Sequence, residues 1–328
     1  MGKDSGKWKV ESGKLNIVFD NIIYTLQRYG GISVVWNELL GRARNDKDLQ
    51  CIELDYKQKI TPRWMERYRI PAYTAPTPSI FHSSYFRILP QTGVYNVTTV
   101  HDLTYHYYRK GLPKMVHLWE EERALGHSEA VICVSENTKR DLLGFYPWLK
   151  EEQVYVVYNG VNDIFHPMPS VQKKGYLLFL GNSAVEYKRY DVAQEVARLT
   201  GLELKIVSGV SSQELNRFYN EALCLLYPSD YEGFGLPILE AQKAGCLVIA
   251  QKASSIPEVI GESGWLVKHD TLQHMAQEMA SIVKEIQSRS TQEMVEKGFE
   301  NAKRFSWDKT YQQTKQVYEN IYHNHHIQ

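Results

Sequence analysis

The sequence predicts an α/β architecture in which two doubly wound domains, each a parallel sheet with covering helices, face each other across a cleft. Two observations carry this reading. Apolar runs of strand length alternate with helical stretches through most of the 328 residues, and such alternation builds parallel sheets covered on both faces. The alternation breaks once, at "NGVNDIFHPMPSVQKKG" (residues 159–175), where two prolines and two glycines replace any periodicity. A chain of this length also exceeds what one core of ordinary size serves, so two domains joined by that linker are the expected division.

The first apolar run, "LNIVFD" from Leu15 to Asp20, reads as a strand. The polar stretch after it carries Gly30 and Gly31 and leads into the helical pattern "ISVVWNELLGRA". Strand-like runs follow at "YNVTTVHD", "EAVICVS" and "VYVVYNG", with helices expected at "PKMVHLWEEERAL" and at "SENTKRDLL", where Ser135 is placed to cap. Beyond the break, "YLLFLG" predicts a strand. A helix over 191–200 puts Val192, Val196 and Leu199 on one face. "LELKIVSG" precedes a helix opened by a capping box at Ser211 and Glu214. "ALCLLYPS", a helix from Pro237, "CLVIAQ" and "GWLVK" complete this half, and three mostly helical segments close the chain. The boundaries that follow are a leader over 1–14, a first domain over 15–165, a second over 166–305 and a terminal segment over 306–328.

Composition narrows the function classes. Hydrophobic content of 43% and charged content of 23% are globular values, and the formal net charge is zero, so bulk charge does not mark a nucleic-acid binder. Cys51, Cys133, Cys224 and Cys246 stand singly, without the pair spacing of a zinc site, and read as free thiols of a reducing compartment. No run of 18 apolar residues is present, so no spanning helix is expected. The leader "MGKDSGKWKVESGK" lacks the apolar centre of a signal peptide and reads as a vector remnant or a disordered start. The expected location is cytoplasmic, at most on the inner face of a membrane.

The stretch "SDYEGFGLPILEAQKAG" (Ser229 to Gly245) raises the chemical question. It follows a strand, and Pro237 suits the first turn of a helix because its missing N–H is no loss there. The amides of Gly235 and Leu236 then open a helix N-terminus, where anions are welcome. The glycines let backbone approach a ligand closely. Glu232 lies in the loop and Glu240 about one turn into the helix. A ligand with phosphate at its middle and hydroxyls at both ends fits this layout, and a nucleotide-sugar is such a ligand. Two glutamates eight apart decide nothing by spacing alone, since a glutamate near a helix start also favours the helix dipole.

"YEGFGLPILEAQKAG" resembles the E-x7-E signature of retaining, nucleotide-sugar-dependent glycosyltransferases of the GT-B fold, in which two Rossmann-like domains face each other. "LQRYGGIS", "VHDLTYHYYRKG", "VSENTKRDLL", "VYNGV", "YLLFLGN…YKRYD", "IPEVIGESGWLV" and "FSWDKT" resemble further blocks of that family in family order. The resemblance implies that the first domain takes the acceptor, the second the donor nucleotide, and that the segment after Phe305 crosses back to the first domain. It implies that Glu232 contacts donor-sugar hydroxyls and helps to stabilise charge on the transferring ring. Amides at Phe234, Gly235 and Leu236 would hold sugar and diphosphate oxygens, and Glu240 would accept from the ribose hydroxyls. Lys188 matches the basic residue that neutralises the leaving diphosphate, Gly30 and Gly31 the loop facing that diphosphate, and His101 the histidine near the donor sugar.

The chemistry agrees with these roles. Breaking an anomeric bond to a diphosphate builds negative charge on the leaving oxygens and positive charge on the sugar, and fixed donors and a carboxylate stabilise them. No Asp-x-Asp triplet stands beside these residues to hold a metal, so Lys188 and the helix N-terminus are expected to replace the cation, with no cofactor beyond the donor. One departure stands out: many relatives carry an arginine where "GNSAVEYKRYD" has Ser183, with Lys188 retained and Arg189 next to it. That bears on phosphate affinity and rate rather than on fold.

"KQKITPRWMERYRIP" (Lys57 to Pro71) carries five basic residues among Trp64, Met65 and Tyr68. It reads as a solvated loop and short helix, with docking on anionic membrane near a lipid-linked acceptor as the other reading. The terminal "HNHHIQ" reads as a frayed tail rather than a metal cluster. The expected activity is retaining transfer from a nucleotide diphosphate-sugar to a saccharide or lipid-linked acceptor in surface polysaccharide or glycoconjugate synthesis. A sugar-nucleotide epimerase and a non-catalytic nucleotide-sugar-binding subunit are the alternatives. A dinucleotide oxidoreductase is disfavoured because no G-x-G-x-x-G follows a strand.

Overall fold

The computed structural model describes residues 14–27, 30–56 and 64–326. The leader up to Gly13 and Lys57 to Arg63 of the basic stretch lie outside the described residues. The chain forms two compact units. The first runs to Val134 and resumes over Lys139–Val157 and from Asp308 onward; the second holds Ser135–Thr138 and Tyr158–Trp307.

The first unit is built on β1 (Leu15–Asp20), β2 (Leu49–Leu54), β3 (Ser79–Ser83), β4 (Val94–Val100), β5 (Ser128–Cys133) and β6 (Val154–Val156), parallel throughout in the order β2-β1-β3-β4-β5-β6. Its helices are α1 (Ile23–Leu26), α2 (Gly31–Ala43), α3 (Thr104–Tyr108), α4 (Gly111–Gly126) and α5 (Glu136–Phe145), the last beginning inside Ser135–Thr138. The expected N-cap of α5 is present: Ser135 Oγ accepts from the Thr138 amide at 3.0 Å. Strands β2 and β3 fall where the sequence shows no clear strand pattern. β3, "SIFHS", is buried at all five positions although three of them are polar.

The second unit carries β7 (Leu177–Leu180), β8 (Leu204–Val207), β9 (Cys224–Tyr227), β10 (Leu247–Gln251) and β11 (Trp265–Val267), parallel in the order β11-β10-β9-β7-β8. The helices are α6 (Tyr190–Thr200), α7 (Ser212–Glu221), α8 (Leu236–Lys243), α9 (Ile256–Ile260), α10 (Leu272–Ser288) and α11 (Gln292–Ala302). Covered on both faces, the strands are continuously apolar, as β7 and β9 show. Val192, Ala193 and Val196 of α6 are fully buried in one cluster with Met275, Met279 and Val283 of α10. The capping box of α7 forms as expected: Ser211 Oγ accepts from the Glu214 amide, and Glu214 accepts in return from the Ser211 amide.

Both sheets share one topology. The chain starts in the middle, moves one strand outward, then reverses to the other side, so the order switches between β1 and β3 and between β7 and β9. In such sheets the loops leaving the switch-point strands diverge and leave a crevice at their carboxyl ends. In the first unit this place is filled by a buried ionic network. Asp20 at the end of β1 is 3.2 Å from Arg87, Arg87 is 2.9 Å from Glu66, and Ser83 donates to Asp20 at 2.7 Å. Burial pushes the Asp20 carboxyl up although Arg87 opposes it.

The last helix, α12 (Trp307–His326), belongs from Asp308 onward to the first unit. Tyr311, Val317, Tyr318 and Ile321 join the core around Ile17, Phe19 and Trp36. The chain's Asp-x-Asp triplet, Asp46 to Asp48, is used here: Lys315 pairs with Asp46 at 2.9 Å and Asp48 at 2.7 Å, and Tyr311 donates to Asp46. The expected fraying of "HNHHIQ" does not occur through His326. The helix continues because the His325 ring stacks on Tyr95 at 4.1 Å and its Nε2 lies 2.9 Å from Glu129. All four cysteines are free, and Cys133, Cys224 and Cys246 are buried. Among the described residues no helix is long and apolar enough to cross a membrane.

Candidate active site

The loops after β7 and β9 flank the switch point of the second unit. The loop after β7 turns at Gly181, whose φ of +132° favours glycine, and Asn182 closes the turn by accepting from the Ala184 amide. The aliphatic stem of Lys188 lies over this glycine: a Cβ on Gly181 would sit 3.9–4.0 Å from it. The stem leads the ammonium to Glu232 Oε1 at 2.5 Å, and both side chains are largely buried. Aromatic rings flank the cation, with its Nζ 5.5 Å from the Tyr187 centroid and 5.6 Å from the Tyr227 centroid.

Arg189 takes the left-handed conformation, φ +51°, just before α6 begins. That twist sends it away from its neighbour. Its guanidinium pairs with Asp191 at 3.1 Å and Asp230 at 3.3 Å, bracing the outer side of the loop after β9. Lys188 and Arg189 therefore do not act as one clamp on a common ligand in this conformation. Ser183 is exposed in the turn between them and Gly181.

The loop after β9 is held from below by hydroxyls. The Glu232 amide donates to Ser254 Oγ at 2.8 Å, and the Ser255 hydroxyl lies as donor 2.9 Å from the Glu232 carbonyl and 2.8 Å from that of Phe234. Ser135 donates to the Gly233 carbonyl at 2.6 Å, and the Thr138 hydroxyl lies 3.1 Å from the same oxygen. Gly235 turns the chain at φ +106° into α8, with Pro237 in the first turn. The first amides of a helix have no intrahelical partner, so those of Gly235 and Leu236 stand at its positive end. Phe234 is buried against Tyr158 and Phe305 and contributes backbone rather than ring to this end.

Glu240, half-buried one turn into α8, accepts from the Tyr219 hydroxyl of α7 at 2.9 Å. Burial pushes its carboxyl up to about 7, with the Tyr219 bond working the other way. The second unit thus gathers Lys188, Glu232, Phe234, Gly235, Leu236 and Glu240 at one set of strand ends, with Arg189 turned aside. Sequence reasoning missed Tyr219, Tyr227, Ser254, Ser255 and the Ser135–Thr138 support. Only the serines carried a signal, standing just before "IPEVIG".

The first unit holds the other expected residues. Gly30 and Gly31 form the start of α2; Gly30 is extended, and a Cβ on it would meet only the flexible end of Gln27. His101 follows β4 and is half-buried; burial holds its imidazole down to about 4 against the pull of Asp102. It is therefore neutral near pH 7. Asp102 orients the loop, accepting from the amide and hydroxyl of Thr104.

Chemically, the second-unit site offers a cation, a carboxylate and free amides at one helix end, with a second carboxylate a turn away. Residues 153–285 match the family described as "Glycosyl transferases group 1", and residues 56–164 match "Glycosyltransferase Family 4". O-antigen chain mannosyltransferase B of Escherichia coli is 34% identical over 116 residues, 35% of this chain and 30% of that relative. Among solved structures, a sucrose-phosphate synthase from Thermosynechococcus elongatus superposes with a TM-score of 0.69 at 16% identity, covering 95% of this chain and 100% of its own. The Anabaena protein HepE, solved with UDP and glucose, gives 0.67 at 14% identity, covering 93% and 100%. At such identities the structures establish a shared fold.

Proposed function

We propose that this chain, which by its family matches and its fold belongs to the group 1 glycosyltransferases of GT-B architecture, moves a sugar from a nucleotide diphosphate-sugar to a saccharide or lipid-linked acceptor with retention of configuration. The observation that carries the reading is the Lys188–Glu232 pair beside the open amides of α8, at the switch point of the second unit. Lys188 and the amides of Gly235 and Leu236 take the diphosphate. Glu232 faces the sugar hydroxyls, and Glu240 accepts from the ribose. The bond from the anomeric carbon to the diphosphate oxygen breaks, and one to the acceptor oxygen forms on the same face. The acceptor proton leaves toward the departing phosphate. Gly30, Gly31 and His101 of the first unit keep the donor-side roles that the family resemblance implies for them, with His101 acting as a neutral imidazole.

The likeness to an O-antigen mannosyltransferase makes a mannosyl donor and a glycoconjugate acceptor the first pair to try. A membrane-bound acceptor is supported by α4, where Leu112, Met115 and Trp119 are exposed beside Lys110 and Lys114, and by exposed Trp64 and Met65 in the middle of the basic stretch. The test is a thermal-shift screen of nucleoside diphosphates followed by product analysis with the matching nucleotide-sugars. A nucleotide at 100 times its dissociation constant adds about 2.7 kcal/mol of stability. If no nucleoside diphosphate stabilises the chain, the reading fails.

A further inference from the structure

Tyr227 ends β9 and is 2% exposed, with its ring under the turn that opens α8: a Cβ on Gly235 would lie 3.9 Å from its Cε1. Its ring is one of the two flanking the Lys188 ammonium. Its hydroxyl is buried and completes no hydrogen bond of good geometry among the described residues, although the Glu232 carboxylate lies close enough to act on it as an acceptor. Such a group normally costs stability, so an unused donor at this position calls for a reason. Burial first, and then the charge and accepting oxygen of the nearby Glu232 carboxylate, hold the phenol in its protonated, donating form.

The Lys188–Glu232 bond supplies the reason. On the reading above, Lys188 serves the diphosphate and Glu232 the sugar, yet the two occupy each other at 2.5 Å. A diphosphate that draws the ammonium toward itself leaves a mostly buried carboxylate short of a partner, and an unpaired buried charge is costly. The phenol beside it is the donor at hand, and an O–H donating to a carboxylate is among the stronger hydrogen bonds. We propose that Tyr227 is a positioning residue of the donor site, its hydroxyl taking over the Glu232 carboxylate when the donor's diphosphate draws Lys188 away. This rests on the glycosyltransferase reading and adds to it a partner exchange: Lys188 passes from carboxylate to phosphate while Glu232 passes from ammonium to phenol.

The experiment is a double-mutant cycle on binding, made on the full chain with UDP, GDP and ADP as probes in titration calorimetry. Tyr227→Phe removes only the hydroxyl. In the otherwise native chain it leaves Glu232 unpaired in the complex alone, and affinity for the diphosphate drops about tenfold, the loss of one bond to a charged group. In the Lys188→Ala background Glu232 lacks the ammonium both with and without ligand, so the added Tyr227→Phe changes affinity less than twofold. Because the hydroxyl completes no well-formed bond while Lys188 holds Glu232, Tyr227→Phe alone unfolds at the same temperature as the native chain or higher. Equal losses in the two backgrounds, or no loss in either, overturn the exchange while leaving the glycosyltransferase reading intact. A Tyr227→Phe chain that does not fold also overturns it, since the hydroxyl would then be structural. Native protein that binds none of the three probes removes both.

Discussion

Lys188 and Glu232 reach each other across two loops, 44 residues apart in sequence, and close to 2.5 Å at the ends of β7 and β9. Arg189, one residue on, is committed elsewhere, to Asp191 and Asp230. The division between these adjacent cations is set by one backbone angle, the left-handed φ of +51° at Arg189.

Lys188→Ala should therefore lower kcat by about a hundred- to thousandfold, the cost of one well-placed transition-state donor. The loss falls on kcat rather than KM because the diphosphate charge grows as the sugar leaves. Arg189→Ala should cost less than tenfold in kcat, since its guanidinium braces a loop and does not face the cation's side of the site. Steady-state kinetics on both variants decide this, and equal kinetics for the native chain and Lys188→Ala would remove Lys188 from the reaction.

That same angle marks where sequence reading stops. β1, β4, β5, β7, β9 and β10 are legible because each is an apolar run, and the α7 capping box because its partners are three residues apart. β3 is not, because its buried polar residues depend on distant partners. His82 lies between Thr99 Oγ1 and the hydroxyl of Tyr318, 236 residues away, and Ser83 donates to Asp20, 63 residues away. β2 pairs with β1 alone at the edge of its sheet, and exposed Gln50 and the charged Glu53 break its apolar pattern. At the site, the glycine loop and Lys188 stand out in the sequence. Tyr227 does not, because inside "LCLLYPS" it looks like one more strand residue.

Transfer should survive EDTA. With the diphosphate held by the Lys188 ammonium and the amides of α8, the charge that a divalent ion would neutralise already has its partners. Initial rates with and without chelator measure this. An activity abolished by EDTA and restored by magnesium or manganese would transfer that role to a metal.

Two glycines separate backbone strain from packing. Gly160 lies so close to the start of α12 that a Cβ would stand 2.2 Å from the Trp307 amide nitrogen and 2.5 Å from the Ser306 carbonyl carbon. Backbone cannot step aside as a side chain can, so Gly160→Ala should destabilise by about 3 kcal/mol or more. Gly41, exposed within α2, has nothing within 4 Å of the added carbon. Gly41→Ala should stabilise by about 0.5–1 kcal/mol through helix propensity. Urea midpoints measure both, and a neutral Gly160→Ala would mean that the Trp307 turn is not held as described.

Glu240 makes both stability and binding depend on pH, in opposite directions. Burial raises its carboxyl from 4.5 to about 7, so the folded chain holds this proton more tightly than the unfolded chain. The stabilisation from protonated Glu240 is complete below about pH 4.5 and is lost as pH rises through about 7. At pH 8 the native chain carries a cost that Glu240→Gln does not, at most about 3 kcal/mol and less in proportion to the solvent reaching this half-buried group. Nucleotide affinity runs the other way, because ribose hydroxyls donate best to the carboxylate. Native affinity should climb through pH 7, while Glu240→Gln binds more weakly by about 1.5–3 kcal/mol at pH 8 and shows little of that climb. Urea midpoints and calorimetric titrations with UDP and GDP at pH 5, 6, 7 and 8 test the two halves separately. Parallel stability curves for native and variant would show that the carboxyl is not raised by burial. Unchanged affinity in Glu240→Gln would show that it does not meet the nucleotide.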